Sequence, residues 1–337
     1  MKRITKAINS ESIISPVPIW LMRQAGRYLS EYMNVRNTYE SFLDLCYSPK
    51  DACKVTMQPI DRYNFDAAIL FSDILVIPDS LSIPVSFSKN HGPILGVNDP
   101  LELYNLKVSR ENFQFDKVSD AIGLIKDQLS DKDLIGFSGS PWTLACYILD
   151  RKRNASFDEV RKLIYTNPKL LDFLIDILTQ QIKIYLEMQV RSGVDVLQLF
   201  DSHAGILNHE NYVKYVLKPT KDIVSFIKSK FDVPIIGFPK GSGAFYKEFV
   251  EYTKVDAVSV DYLTDFNDTG VMNLVTVQGN LDPIVLFSSK EVIQLEIDKI
   301  LSQVGTSPFI FNLGHGILPK TPVENVEFLV NYIRKVT

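Results

Sequence analysis

The sequence predicts a (β/α)8 barrel, an α/β fold in which eight parallel strands close inside a ring of helices and the active-site cleft lies at the C-terminal ends of the strands. Three observations predict it. Eight short apolar runs recur along the chain, each followed by polar, charged or turn residues, as expected of strands buried on both faces. Helix-period segments fill the spaces between them, and a βα alternation implies a parallel sheet. The 337 residues are ample for a barrel, which typically needs about 250, and no linker, low-complexity tract or long charge run divides them. Residues 1–337 are therefore expected to form a single domain.

The first run is Pro18–Met22, ahead of Arg23, and the second is Ala67–Phe71, ahead of Ser72 and Asp73. Leu134–Phe137 follows, ahead of Ser138 and Gly139, then Val194–Phe200, ahead of Asp201 and Ser202. Pro234–Phe238 precedes Pro239, Lys240 and Gly241, and Ala257–Val260 precedes Asp261. Val275–Val277 precedes Gln278, Gly279 and Asn280, and Phe309–Leu313 precedes Gly314, His315 and Gly316. Helices are expected over Asp51–Arg62, Asn167–Arg191, Asn211–Lys230 and Val323–Lys335. In the second of these, Leu170, Leu174, Ile177, Leu178 and Ile182 trace one apolar face, while Asp172, Asp176, Lys183 and Glu187 interrupt it, so the segment is amphipathic and no membrane span. Ser80–Lys107 is rich in Pro, Ser, Asn and Gly and reads as an irregular excursion after the second strand.

Composition narrows the function classes. Lys and Arg number 36 against 40 Asp and Glu, a net charge of −4, which argues against nucleic acid or anionic lipid as a partner. Any anionic ligand must be met by a local cluster. Cys46, Cys53 and Cys146 are odd in number and form no CxxC pair, so neither a disulfide framework nor a structural zinc site is expected, and a reducing cytosol fits. The opening MKRITKAINS is basic but no apolar stretch follows it, so no secretory signal is expected.

In such a barrel the residues just after each strand carry the chemistry. After the first run, Arg23 and Arg27 flank Gly26, with Arg36 further on; three guanidiniums offer bidentate forks for carboxylates or phosphates, or else a solvated basic surface. Asp73, followed by Ile74-Leu75-Val76-Ile77-Pro78, is either a paired structural carboxylate or one aimed at a ligand. Asp201-Ser202-His203 does not make a catalytic triad, because adjacent strand residues point to opposite faces, and no G-x-S-x-G elbow occurs. Gly241-Ser242-Gly243 lacks the third glycine of a dinucleotide fingerprint, since Tyr246 stands there, and reads as a turn. His91, His203, His209 and His315 show no H-E-x-x-H pattern and no nearby cysteine, so no metal site is expected. His315, between two glycines, is either a loop histidine or one that a ligand approaches closely.

Taken together, six segments resemble the uroporphyrinogen decarboxylase family. They are PIWLMRQAGRYL from Pro18, FSDILVIP from Phe71, GFSGSPWTL from Gly136, QLFDSHAG from Gln198, QGNLDP from Gln278 and NLGHGI from Asn312. The matches keep family order from about Pro18 to Asn325. The resemblance implies a homodimer that uses neither metal nor organic cofactor and removes CO2 from the four acetate arms of uroporphyrinogen, leaving methyls and yielding coproporphyrinogen on the route to haem. Carried over by position, Arg23, Arg27 and Arg36 are the implied carboxylate-binding arginines, with Arg23 and Arg27 also catalytic. Asp73 is the implied catalytic aspartate that holds the pyrrole N–H groups. Tyr147, Ser202 and His315 are the implied remaining substrate contacts. Ser30 stands where the family usually has Pro, and Asp150-Arg151-Lys152-Arg153-Asn154 replaces a Gly-rich stretch.

The chemistry suits these residues. A substrate with eight carboxylates needs a cationic rim on an acidic protein. Loss of CO2 from an acetate arm needs an electron sink, which a pyrrole protonated at the attached carbon provides. A fixed carboxylate about 4 Å from that cation gains about 4 kcal/mol at an effective dielectric of about 20, before desolvation, or up to about three decades of rate. Guanidinium is a poor acid, so a proton delivered from Arg23, the first candidate donor, requires pocket perturbation or a water relay. Two other readings are a cobamide-dependent methyltransferase, which would need a His/Cys zinc site, and a catalytically silent tetrapyrrole-binding protein.

Overall fold

The computed structural model describes residues 2–88, 92–97, 99–150 and 156–337. Among these residues seven parallel strands are hydrogen-bonded in the order β1 (Ala67–Ile69), β4 (Asp133–Gly139), β5 (Val196–Asp201), β6 (Ile235–Pro239), β7 (Ala257–Ser259), β8 (Thr276–Leu281) and β9 (Phe309–Leu313). The remaining expected run, residues 18–22, closes the curled sheet. Ile19 bridges Phe311 in parallel, the Phe311 N–H donates to the Pro18 carbonyl at 2.9 Å, and on the other side the Asp66 N–H donates to the Ile19 carbonyl at 2.9 Å. This segment is less regular than the others because side chains take its donors. The Ile19 N–H goes to the Asp66 carboxylate at 2.9 Å and the Met22 N–H to Asn312 Oδ1 at 3.0 Å.

Two departures from the sequence expectation each have their own physical reason. β8 runs on through Gln278 and Asn280 because its polar side chains are satisfied inside the barrel. Trp20 Nε1 donates to Gln278 Oε1 at 2.9 Å, and Gln278 Nε2 donates to Ser259 Oγ at 3.1 Å and Gln198 Oε1 at 3.2 Å. An apolar pattern understates a strand whose inner face is wired by hydrogen bonds. The 80–107 excursion is also more ordered than expected. It holds an antiparallel hairpin of β2 (Val85–Ser88) and β3 (Gly92–Leu95), with Val85 opposite Leu95, and a 3-10 turn over Pro100–Asn105. Backbone bonds alone make such a ladder, so composition did not reveal it.

The expected helices form at Pro49–Tyr63, Pro168–Ser192 and Val323–Val336. Asn167 caps the Pro168–Ser192 helix by accepting the Leu170 N–H at 3.3 Å, and Gly193 ends it at φ 110°. The fourth runs from His209 to Lys228 with a π-turn at Val213–Leu217, immediately before Pro219, which has no N–H to give Tyr215. The Arg3–Ile8 helix was not anticipated. Its Ile4, Ala7 and Ile8 pack with Trp20, Ala67, Ile135, Val196, Ile236, Ala257 and Ile310 in the barrel interior. The Ile4 N–H donates to Asp133 at 2.7 Å, Thr276 Oγ1 donates to the Ala7 carbonyl at 3.1 Å, and Arg3 pairs with Asp66 at 3.0 Å. Since Asp66, Asp133 and Thr276 stand at strand beginnings, this helix plugs the N-terminal end of the barrel and leaves the opposite end for a site. Among the described residues no helix is long and apolar enough to cross a membrane.

Candidate active site

The floor of the C-terminal end is aromatic. Phe137, Phe200 and Phe238, one from each of β4, β5 and β6, meet edge to face at 5.7 and 6.0 Å, and the His315 ring lies 6.4 Å from Phe238. Above this layer the strands hand over to the loops that carry the candidate residues.

Arg23 sits in the turn after residues 18–22 with φ 61°, a left-handed conformation that costs a non-glycine residue about 1–3 kcal/mol and therefore needs support from its surroundings. Gln24, 1% exposed, supplies it. Its Oε1 accepts the Leu21 N–H at 3.1 Å, its Nε2 donates to the Ala67 carbonyl at 3.1 Å, and its own carbonyl accepts the Tyr28 hydroxyl at 2.8 Å. The arginine then lies across Gly316, where any Cβ would fall 2.4 Å from Arg23 Cδ. Thus the first and last strand ends meet through Arg23 and the Gly314–Gly316 loop. Arg27 is exposed; Arg36 is half-buried, donates to the Tyr39 carbonyl at 2.7 Å and lies over the Phe42 ring at 5.9 Å. Arg27, Arg36 and Asp73 all act electrostatically on the Tyr32 phenol, which burial pushes up to about 12.

Asp73 leaves β1 and opens the Val76–Ser80 helix: its Oδ1 accepts the Leu75 N–H at 2.8 Å and its carbonyl the Val76 N–H at 3.2 Å. The residue keeps partial access to solvent while its carboxyl is ringed by protein. Burial pushes it up to about 6, against the opposing pull of the Leu75 N–H and the Arg23 charge. His315 is also close to Arg23. Burial first, then the charges of Arg23 and Lys240, hold its imidazole down at about 3, so it is neutral at pH 7.

Ser202 follows β5 on the inner side, two residues past Phe200, and among the described residues its hydroxyl makes no hydrogen bond. Tyr147 is half-buried on the Pro141–Leu149 helix, its ring 5.4 Å from that of His203. The fold therefore gathers two groups at one barrel end, Arg23, Arg27, Arg36 and Asp73 with His315, and Tyr147 and Ser202 beside His203. Among the described residues no carboxylate pairs with Arg23, Arg27 or Arg36.

Sequence reasoning missed Gln24, His203 and Lys240. Gln24 and Lys240 each stand within two residues of an apolar run, a signal that was available. His203, rejected as part of a triad, is nonetheless in the cleft wall, with its ring 4.1 Å from that of Phe157 and its Nε2 buried without a partner. Asp201 points the other way, to Thr143, whose hydroxyl it accepts at 2.6 Å; burial pushes it up to about 7. His209 binds Glu248 at 2.8 Å on the surface, and His91 lies outside the described residues. Ser30 begins the Ser30–Arg36 helix at its first position, which accepts Pro as readily, so that departure leaves the turn intact. Of the 150–154 stretch only Asp150 is among the described residues, and it is buried.

A parallel α/β barrel whose C-terminal end joins an aromatic floor to a rim of arginines and a half-buried carboxylate is an enzyme scaffold for a large polycarboxylate. A model of the uroporphyrinogen decarboxylase (URO-D) family matches residues 1–336, and the chain belongs to that family. It is 45% identical over 337 residues to the uroporphyrinogen decarboxylase of Rickettsia rickettsii (strain Sheila Smith), covering 99% of this chain and 97% of that one. To the enzyme of the same name from Rickettsia bellii (strain RML369-C) it is 46% identical, covering 94% of each. Among solved structures it is similar to a methyltransferase from Methanosarcina mazei, with TM-score 0.76, 18% identity and coverage of 99% and 97%, a likeness of fold alone.

Proposed function

We propose that this chain decarboxylates the four acetate arms of uroporphyrinogen to give coproporphyrinogen, with residue roles that the geometry above supports. Family membership and the near-full-length relatives carry the activity. What supports the assignment of roles is that, among the described residues, no carboxylate pairs with Arg23, Arg27 or Arg36 on a protein whose net charge is −4, and that the Arg23 charge acts on Asp73.

In this reading Arg23, Arg27 and Arg36 bind substrate carboxylates, while Asp73 accepts the pyrrole N–H groups and faces the positive charge that develops when the ring is protonated. The bond between methylene and carboxylate then breaks, its electrons neutralise the ring cation, CO2 leaves, and a proton delivered to the methylene carbon completes the methyl as the ring proton is lost. The carboxylate stabilises the step only by the difference between its contact with neutral N–H and with cation. In this reading Arg23, which lies across Gly316 and whose charge acts on both Asp73 and His315, delivers protons through water. His315, neutral, Tyr147 and Ser202 orient carboxylates. The same reading includes one domain over residues 1–337, action without metal or cofactor, a cytosolic location in keeping with three buried free cysteines, and a homodimer whose second subunit shelters the cleft.

The test is anaerobic incubation with uroporphyrinogen in excess chelator, followed by oxidation and separation by carboxylate number. Stepwise conversion to the four-carboxylate product is expected, and Asp73→Asn is expected to lose about three decades of turnover while melting normally. Recovery of the eight-carboxylate compound from folded wild-type protein would refute the reading.

A further inference from the structure

Lys240 follows β6 directly, and both Ile236 and Phe238 of that strand belong to the barrel interior. The two-residue period of a strand carries position 240 to the same side, above Phe238. Asp201 pairs with Pro239 across the β5–β6 ladder, so Ser202 and Lys240 are the next neighbours in register. The backbone there is fixed: the Lys240 N–H donates to the Asp201 carbonyl at 3.0 Å and the Lys240 carbonyl accepts the Gly205 N–H at 3.1 Å. A Cβ on Gly205 would fall 2.2 Å from the Gly241 carbonyl oxygen, so the two loops are pressed together and the lysine has a firm base.

The Lys240 side chain is half-buried, and among the described residues no carboxylate pairs with it. The Lys240 and Arg23 charges both act on the His315 imidazole, and the Lys240 charge also acts on that of His203, while the Asp261 carboxylate, which accepts the neighbouring Gly241 N–H at 2.6 Å, is taken up by the Tyr246 hydroxyl and the Leu263 N–H as well. Burial pushes His203 down to about 4 and His315 to about 3, with the Lys240 charge adding to each, so neither ring carries charge at pH 7 and neither can answer the ammonium. A cation drawn partly out of water without a counter-ion is costly, and an anion entering the cleft relieves the cost. Buried beside it, His203 Nε2 has no partner either.

We infer that Lys240 is a further substrate-binding residue, which takes one carboxylate of the porphyrinogen on the Ser202–His203 side of the cleft, across from the arginines. The inference rests on the proposed function of the site. A macrocycle with carboxylates around its rim is then gripped from two sides.

The experiment compares wild type with Lys240→Met, Lys240→Gln and Lys240→Arg, each checked by thermal melting. KM and kcat are measured for uroporphyrinogen and for the five-carboxylate intermediate, and Kd is measured for oxidised uroporphyrin by fluorescence. Lys240→Met and Lys240→Gln are expected to raise KM and Kd about tenfold or more with kcat changed less than about threefold, and Lys240→Arg to restore most of the affinity. An equal rise for both substrates assigns the contact to a propionate or to the one acetate that the intermediate keeps. A rise for uroporphyrinogen alone assigns it to an acetate that has already been lost. KM and Kd within about twofold of wild type in both neutral variants overturn the subsite. A wild-type protein that fails to convert uroporphyrinogen refutes the decarboxylase reading instead, and the Kd comparison still decides the role of Lys240.

Discussion

At the scale of single residues, the proposed site depends on groups whose surroundings shift them from their behaviour in water. Asp73 is the clearest case, because its carboxyl is pushed up to about 6 by burial and must be ionised to face a cation. Activity is therefore expected to fall as pH drops through about 6. A profile of kcat/KM that stays flat from pH 5 to pH 8 would contradict this assignment. Arg23 depends on a residue that does nothing itself. Gly316→Ala places a Cβ 2.4 Å from Arg23 Cδ, so the guanidinium must move although the loop keeps its backbone. The expected result is a loss of about 10²-fold in kcat/KM with little change in melting temperature, measured side by side. The sequence displayed the proposed Arg23, Arg27 and Asp73 openly, through arginines grouped just after the first apolar run and a carboxylate just after the second. Gln24 and Lys240 were harder to single out, because one works through three local hydrogen bonds and the other through its lack of a partner, and neither property is visible in residue identity.

At the scale of elements, the β5–loop junction separates structure from chemistry by strand parity. Ser202 looks into the cleft, while Asp201 looks out to Thr143 beneath the Pro141–Leu149 helix. The folded protein holds a proton on Asp201 up to about pH 7, whereas an unfolded aspartate releases it near about 4. The folded state thus binds more protons between those values, and the stability from this group is present below about pH 4 and is lost as pH rises through 7. Asp201→Asn removes the ionisation and keeps an acceptor for Thr143. Its melting temperature relative to wild type is expected to be higher at pH 8 than at pH 5; a difference independent of pH would show that Asp201 does not titrate there. Strands were legible where both faces are apolar, as in Phe309–Leu313, and were shortened where the inner face is polar, as in Thr276–Leu281. The β2–β3 hairpin escaped notice because its cohesion is in backbone bonds.

At the scale of the whole molecule, one end of the barrel is closed by a helix and the other carries the proposed site. The Arg3–Ile8 helix closes the first, with Ile4 fully buried among residues of the barrel lining. Ile4→Ala should cost about 2–5 kcal/mol in denaturant unfolding while leaving kcat at 25 °C within about twofold, since the cavity it leaves is at the end remote from Asp73. Loss of turnover in the folded variant would mean that the two ends are coupled. Seven of the eight apolar runs became strands of the parallel sheet and the eighth closes it, but the plug was not legible, because a six-residue helix with three apolar positions has too little pattern to stand out.

The ring is completed by residues 18–22 lying between β9 and β1, and this has a consequence for biosynthesis. Arg23 is translated long before the Gly314–Gly316 loop that seats it, so on the ribosome the first strand waits with one edge bare until that loop has emerged. A growing or prematurely terminated polypeptide therefore carries Asp73 and all three arginines but has no seat for Arg23. Such a chain would be inert toward its tetrapyrrole, and competence would arrive in a single event when the last strand docks against the first.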